Sequence, residues 1–289
     1  MNCLKLNRFS HHLQISFQKL SVICHKLYSI YAPDKLSKRK NVDKCAISDS
    51  SLLAMLIWQA EIGIESQRRF SAFFSCISQS RFNRRARQLL PLIYLIRRNL
   101  NQEADLTDRF IIVDSFPIPV CQPVRNRRVK IFKDYADIGY KATKKIYYYG
   151  FKVHALVSDD GYILNYTITK ASVHDAKEAL ELILNTDLKQ KYILGDEGYL
   201  GKQLYDKLKK LGYTLWTPYR KNMKGAKEHN DHELMAIRRT IESDFSLLAY
   251  YNAENNRARS LTGFQERLEV AILASNIAYC LERFNYHHA

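Results

Sequence analysis

A mixed α/β domain, its β-sheet flanked by helices and preceded by an all-helical N-terminal region, is the fold class this sequence predicts. Three observations carry the prediction. Up to about residue 105 the apolar residues recur at helical spacing. After it, short β-rich runs alternate with helical ones. The two longest β-rich runs are separated by Ser158-Asp159-Asp160-Gly161, a strong hairpin signal. Nearly half of the 289 residues (46%) are hydrophobic, enough to bury a sizeable core and to argue against wholesale disorder. The expected division is residues 1–105, helical and basic, followed by residues 106–289 as the sheet-bearing domain.

The first helix is read from Leu13, Phe17, Leu20, Cys24, Leu27 and Tyr31, whose steps of four and three put them on one face. Pro33 closes it, and Lys35 to Lys44 make a basic linker. Ser48-Asp49-Ser50 offers a cap for a second helix, Leu52 to about Glu61, ending near Gly63. Leu89, Ile93, Ile96 and Leu100 form an apolar stripe on a third, which Pro91 must either start or kink. Phe110-Ile111-Ile112-Val113 is a short buried strand; Tyr147 to Val157 and Tyr162 to Thr169 form the hairpin. A helix over His174 to Leu184 precedes a fourth strand, Lys191-Tyr192-Ile193-Leu194. A helix from Gly201 to Leu211, closed by Gly212, precedes a fifth, Tyr213 to Trp216. A basic loop, Arg220 to Lys227, leads into a long helical stretch from about Glu233 to Leu248, and an amphipathic helix from Gly263 to about Phe284 follows. The order β-β-β-α-β-α-β-α suits a mixed sheet covered by helices.

The formal charge is +16, from 45 Lys and Arg against 29 Asp and Glu. Such an excess concentrates polyanions, of which nucleic acid is the commonest and an anionic membrane the next. The best apolar runs, Leu52–Trp58 and Leu89–Ile96, are too short for a membrane helix, so no membrane partner is expected. Six scattered cysteines without a CxxC pair read as reduced thiols in a cytoplasmic protein. From Ser66 to Gln102 there is no acidic residue but there are eight arginines, among them Arg68, Arg69, Arg81, Arg84, Arg85 and Arg87. The bland reading is a solvated face; the sharper one, with no acid to balance them locally, is a helix-turn-helix-like module presenting these six to DNA phosphates. A second basic cluster, including Arg125, Arg127, Arg128 and Lys144, follows the first strand and could track phosphate or be a solvated loop.

Three acids sit where phosphodiester chemistry wants them. Asp114 follows the first strand, Asp196 the fourth, and Glu242 lies on the late helix. Neighbouring strand ends place two carboxylates side by side, and a helix on the sheet can add a third. Mg²⁺ is a hard cation held by a few carboxylates, phosphate oxygens and water, and a pair of such ions can activate a hydroxyl and stabilise a leaving 3′ oxygen. Each acid taken alone could equally be a turn residue or a cap. Glu197 and Asp244 are the rival acids, and His154 and His174 are candidate ligands whose bland reading is structural.

Val113-Asp114-Ser115, Gly150-Phe151-Lys152-Val153-His154, the stretch Ala171-Ser172-Val173-His174-Asp175-Ala176, Leu194-Gly195-Asp196-Glu197-Gly198-Tyr199 and Arg238-Arg239-Thr240-Ile241-Glu242 resemble, in that order, the motifs of DDE transposases of bacterial insertion sequences. The resemblance covers roughly Asp108 to Phe284. It implies a ribonuclease-H-like catalytic core, Mg²⁺ or Mn²⁺ held by Asp114, Asp196 and Glu242, and cutting and joining of double-stranded DNA at terminal inverted repeats and in target DNA. It further implies a homodimer on DNA, in a bacterial cytoplasm and on the nucleoid when bound. Arg238 matches an arginine of the family's Tyr/Arg/Glu/Lys helix signature that contacts DNA near the cut. Met235 and Ala249 stand at the Tyr and Lys positions, so Arg238 and Arg239 would carry most of that contact. Two other readings stay open: a nuclease of the same fold that does not join strands, and a remnant or domesticated transposase that binds DNA without cutting.

Overall fold

The computed structural model describes residues 13, 15–103 and 110–287. In chain order its helices are α1 (Phe17–Tyr31), α2 (Asp34–Ser37), α3 (Asp49–Glu61), α4 (Gln67–Ser71), α5 (Gln79–Glu103), α6 (Asp175–Leu184), α7 (Lys202–Lys210), α8 (Ala226–His229), α9 (His232–Arg239), α10 (Ile241–Tyr250) and α11 (Leu261–His287). Its strands are β1 (Phe110–Pro119), β2 (Asp137–Lys141), β3 (Ile146–Ser158), β4 (Ile163–Lys170), β5 (Tyr192–Leu194) and β6 (Thr214–Trp216). By contact the chain divides into a unit of Asp105–Ser246 and a unit made of Met1–Ala104 together with Leu247–Ala289. The expected boundary between residues 105 and 106 lies outside the described residues, as does Cys3.

In the helical unit Ser16 and Ser48 cap α1 and α3, their hydroxyls accepting from the amides of Lys19 and Ser51. Pro91 falls inside α5 on its exposed side, and the helix runs on through it. The C-terminal segment departs from the expected grouping of 106–289, because α11 packs along α5 and α3. It departs from the expected amphipathic pattern too: Phe264, Leu268, Val270 to Ala274 and Ile277 to Tyr279 are buried around the whole helix, the signature of a core helix. Its polar residues are matched by partners from the N-terminal helices. Arg97 donates to Glu269, Asn276 to Asn101, and Gln67 to Glu266, all buried. No helix among the described residues is long and apolar enough to cross a membrane.

The other unit is built on one sheet in the order β2-β3-β1-β5-β6, with β4 also paired to β3. β1, β3 and β4 are antiparallel neighbours, and β5 and β6 run parallel to β1. β3 is long enough to pair β2 through Ile146–Gly150 and β4 beyond it, both on the edge away from β1. On one face Ile111, Val113, Leu156 and Ile193 join Leu182, Ile183, Leu204 and Leu208 of α6 and α7 in a buried core. On the other, Phe116 of β1 packs against Phe245 of α10, the rings tilted and their centroids 4.7 Å apart. Three antiparallel strands followed by two parallel ones, with helices on both faces, make the ribonuclease-H-like sheet expected.

Two strands differ from the reading of the sequence. β1 continues past Val113 to Pro119, so Asp114 lies mid-strand opposite Ala155 rather than at a strand end. Pro117 and Pro119 look like breakers, yet both are in register with β3. Gly150 makes this possible, since a Cβ there would meet the Ile118 carbonyl oxygen at 2.2 Å. β2 is the strand that the sequence pattern does not show, because Ile138 and Tyr140 are exposed and its other residues carry no buried-strand signal. The late helical stretch is likewise two helices, α9 and α10, meeting at Thr240.

Candidate active site

Strand register brings the first two acids together. In the parallel pair Ile112 lies opposite Leu194, and Asp114 and Asp196 are each two residues further along their own chains. Side chains alternate along a strand, so Asp114 shares the face of Ile112 and Phe116, the one on which α10 packs. Asp196 caps a single 3₁₀ turn, Glu197–Tyr199.

Each aspartate has one oxygen tied to local backbone. Asp114 Oδ1 accepts from the Ser115 amide at 2.7 Å, and Asp196 Oδ1 from the Gly198 amide at 2.7 Å. The other oxygens face one guanidinium. Arg238 Nη2 donates to Asp114 Oδ2 at 2.8 Å and stands 3.9 Å from Asp196 Oδ2, while its Nη1 lies 3.4 Å from Glu242 Oε1. The exposure of the three carboxylate side chains grades from 16% through 40% to 68%, so Asp114 is the floor and Glu242 the rim. Burial above all pushes the Asp114 carboxyl up to about 7. Arg238 opposes that rise, Asp196 adds to it, the Ser115 amide opposes it and Asp175 adds again. A carboxyl in that position gains most from further positive charge.

The rival acids are elsewhere. Glu197 faces Arg220 at 4.0 Å, and Asp244 is fully buried. His154 is buried within β3, its Nε2 2.9 Å from Thr169 Oγ1, and burial holds its pKa down near 4, so it is neutral. His174 caps α6 by accepting from the Ala176 amide. Both are structural.

Asp175, which reads in the sequence as a helix-start residue, gathers the groups behind β1. It accepts from Ser115 Oγ at 2.7 Å and lies 3.2 Å from Lys152 Nζ and 3.5 Å from His154 Nδ1. The motif around Lys152 and His154 and the motif around Asp175 therefore meet, and Ser115, next to Asp114, is fixed between them. Only the pairing of β3 with β1, distant in sequence, brings them there.

As the side chains stand, no group of three or more His, Cys, Asp or Glu among the described residues is close enough to hold a metal ion. Arg238 lies between the three carboxylates instead. The donor set still fits a hard divalent ion: three carboxylates already converge on one positive group, and oxygen ligands of this type are what such ions take. Asp114, Asp196 and Glu242 would hold it once Arg238 withdraws.

Of the arginines predicted to face DNA in the helical unit, Arg68, Arg69, Arg81, Arg84 and Arg87 are exposed. Arg85 is not. Its guanidinium is buried and donates to the Ile47 carbonyl at 2.7 Å and to Asp49 at 2.8 Å. Asp49 is buried in the first turn of α3. Burial alone would raise its carboxyl, but Arg39 and Arg85 outweigh it and hold the group low. Arg85 is thus a counter-ion in the core and leaves the set of phosphate contacts. Arg239 is exposed, with Nε donating to the Met235 carbonyl. After β1, Arg125, Arg127, Arg128 and Lys144 are exposed as well, as are Tyr140 and Tyr147, whose ring centroids are 5.0 Å apart.

Residues 104–261, more than half of the chain, match the family model described as the transposase DDE domain. No curated protein matches the chain. Among solved structures it is similar to the piggyBac transposase in a synaptic complex with hairpin DNA, at 12% identity and a TM-score of 0.48, covering 92% of this chain and 76% of that one. It is also similar to the Mos1 transposase in a paired-end complex with the left transposon end, at 11% identity and a TM-score of 0.25, covering 74% and 80%. A Mos1 mariner paired-end complex with Mn aligns at 12% identity and a TM-score of 0.24, over 91% and 89%.

Proposed function

The chain belongs to the DDE-domain transposase family, and from that premise we propose that it cuts DNA at the ends of a bacterial insertion sequence and transfers the cut strand, with Asp114, Asp196 and Glu242 as its metal-holding carboxylates. The observation that carries the proposal is the convergence of these three side chains, drawn from a strand, the turn after another strand and a helix, on the single guanidinium of Arg238.

Mg²⁺ or Mn²⁺, when bound, would supply a water or hydroxyl of lowered pKa and neutralise charge gathering on the phosphodiester. The chain's own part is to position and to neutralise. The Ser115 and Gly198 amides fix one oxygen of each aspartate, so the remaining oxygens keep their aim without reorganisation. Asp175 restrains Ser115 from behind. Arg238, freed from the carboxylates, can pair with a phosphate of the cut strand through two parallel hydrogen bonds, and Arg239 adds charge beside it. The exposed arginines of the helical unit hold the flanking duplex by phosphate contacts. An element has two ends and this chain one triad, so concerted cutting calls for a homodimer on DNA. The site of action is the cytoplasm, on the nucleoid.

The test is an assay on duplexes carrying the element's terminal inverted repeats, with Mg²⁺ or Mn²⁺ and a target plasmid. Joined product that requires metal and all three carboxylates is the expected result. Nicks without joining would favour a plain nuclease, and binding without cutting a domesticated DNA-binding protein.

A further inference from the structure

Within the helical unit, α4, α5 and the segment entering α11 enclose an open cleft of about 380 Å³. Its walls carry Arg68, Asn83, Arg87, Arg257, Arg259 and Arg267. Only the first three come from the arginine-rich N-terminal stretch; the others arrive from more than 150 residues later in the chain. We propose that this cleft is a phosphate-binding site that seats the phosphodiester backbone of DNA, which deepens the DNA-binding part of the proposed function and rests on it.

The charges are out of balance. Arg68, Arg87 and Arg259 are exposed and make no ion pair among the described residues, while Arg257 is paired with Glu65 at 2.6 Å. Beneath them lies one carboxylate, Glu266, which is 1% exposed and accepts from Gln67. Arg267 donates from Nη2 to Gln67 Oε1 at 3.3 Å, but its Nε and Nη1 are buried without a hydrogen-bond partner. Buried donors without acceptors are costly, and an anion's oxygens supply acceptors. Asn83 Oδ1 is buried and unpartnered too; a turned amide would offer N–H there instead. Ser260 caps α11 by accepting from the Gly263 amide, so the positive end of a 27-residue helix opens on the same cleft. A Cβ at Gly263 would meet Ser260 Oγ at 3.0 Å and come within 4.0 Å of Arg87 Cδ, so glycine lets the Arg87 stem run close to that helix end.

A polymer fits this surface better than a small anion does. The cleft is open, its cations are spread along it, and the exposed Arg81 and Arg84 continue the positive face of α5 past its edge. Backbone phosphates at successive positions match such a row.

The experiment measures binding of the full-length protein to a mixed-sequence 30-base-pair duplex over a salt series, with thermal stabilisation by inorganic phosphate as a second arm. Arg87→Gln and Arg259→Gln should each weaken duplex binding several-fold and flatten the slope of log K against log salt by about 0.9 for each phosphate no longer neutralised. Arg87→Lys should regain most of the slope. Lys210→Gln, on α7 of the other unit, removes the same charge and should leave the slope alone. Equal effects from Lys210→Gln, or unchanged slopes in the cleft variants, overturn the proposal while leaving DNA binding intact. Phosphate that stabilises the wild type but not the Arg87→Gln/Arg259→Gln variant, with duplex slopes unchanged, makes the cleft a free-anion site and overturns the DNA assignment. A wild type that binds no duplex overturns the proposed function itself and the cleft with it.

Discussion

In the sheet-bearing unit Asp114, Asp196 and Glu242 share one guanidinium, whereas in the helical unit Arg68, Arg87 and Arg259, with no ion pair among the described residues, stand over one buried carboxylate, Glu266. Two other clusters pair their buried charges. Arg97 balances Glu269, and Asp49 takes both Arg39 and Arg85. A buried charge is tolerated when it is paired and hydrogen-bonded. Paired clusters therefore hold structure together. On the function and the cleft proposed above, the unbalanced ones would take a cation at the carboxylates and an anion at the arginines.

The contrast breaks most easily at the carboxylates. Asp114→Asn, Asp196→Asn and Glu242→Gln should each lower metal-dependent cleavage by about a thousandfold or more, the several kcal/mol that a bound metal contributes to such chemistry. Duplex binding, which the proposed function gives to the arginines of the other unit, should change by less than about twofold. Gel assays of cleavage and of binding on the same preparations check both. Near-normal cleavage in any one variant would remove that residue from the triad.

The balanced pairs should show their effect in stability instead. Glu269→Ala takes the carboxylate away from the buried Arg97 and should cost about 3–5 kcal/mol, whereas Arg97→Met together with Glu269→Leu should recover most of it. Urea unfolding of the two variants checks this. If the single variant is as stable as the wild type, the pair is not structural, and the distinction between balanced and unbalanced clusters fails.

That distinction is not legible in the sequence. The hairpin and the α/β order are, because each rests on local pattern, and the three acids are singled out only by their motifs. Arg85 and Arg97 look like their exposed neighbours on α5, since Asp49 and Glu269, the residues that bury them, are distant in the chain. Glu266, Glu269 and Asn276 give α11 the appearance of a polar face, and only their partners on α4 and α5 make it a core helix. β2 is an edge strand with its large side chains in solvent, so it lacks the period that betrays a half-buried strand. Spacing alone puts Arg238 on one helix face with Glu242; that it also holds Asp114 follows only from the sheet.

Glu266 sharpens the comparison through pH. Burial raises its carboxyl to about 7, against the opposing pull of Arg267, Gln67 and Arg87. The unfolded chain releases that proton near its ordinary value, so from about pH 4.5 to 7 the folded state holds a proton the unfolded state lacks. Stability from this group is full below that window and falls as pH rises through it, by about 3 kcal/mol in all. Glu266→Gln should be free of this component, and the difference between the two pH–stability curves isolates it. An unchanged curve would mean that Glu266 ionises inside the protein as easily as outside, and that the arginine cleft already has its anion.

Arg238 is the smallest and most discriminating test, because it stands among the three carboxylates proposed to hold the metal. Without metal, Arg238→Gln leaves three carboxylates facing one another, two of them well exposed, so the loss should be modest, about 1 kcal/mol or 2–4 °C in Tm. With metal the sign reverses. The wild-type guanidinium must leave Asp114 and Glu242 before a divalent ion can take its place, and the cost of breaking those contacts is subtracted from metal affinity. Arg238→Gln removes that competitor, so Mg²⁺ or Mn²⁺ should bind about tenfold more tightly, a change of about 1.4 kcal/mol. Added metal should then restore more Tm in the variant than in the wild type. Cleavage should nonetheless fall, since the arginine that would turn to the scissile phosphate is gone. Titration calorimetry in the absence of DNA reads the affinity directly. Equal affinities in the two proteins would show that Arg238 and the metal do not compete, and that the arginine is a permanent partner of Asp114 rather than a placeholder.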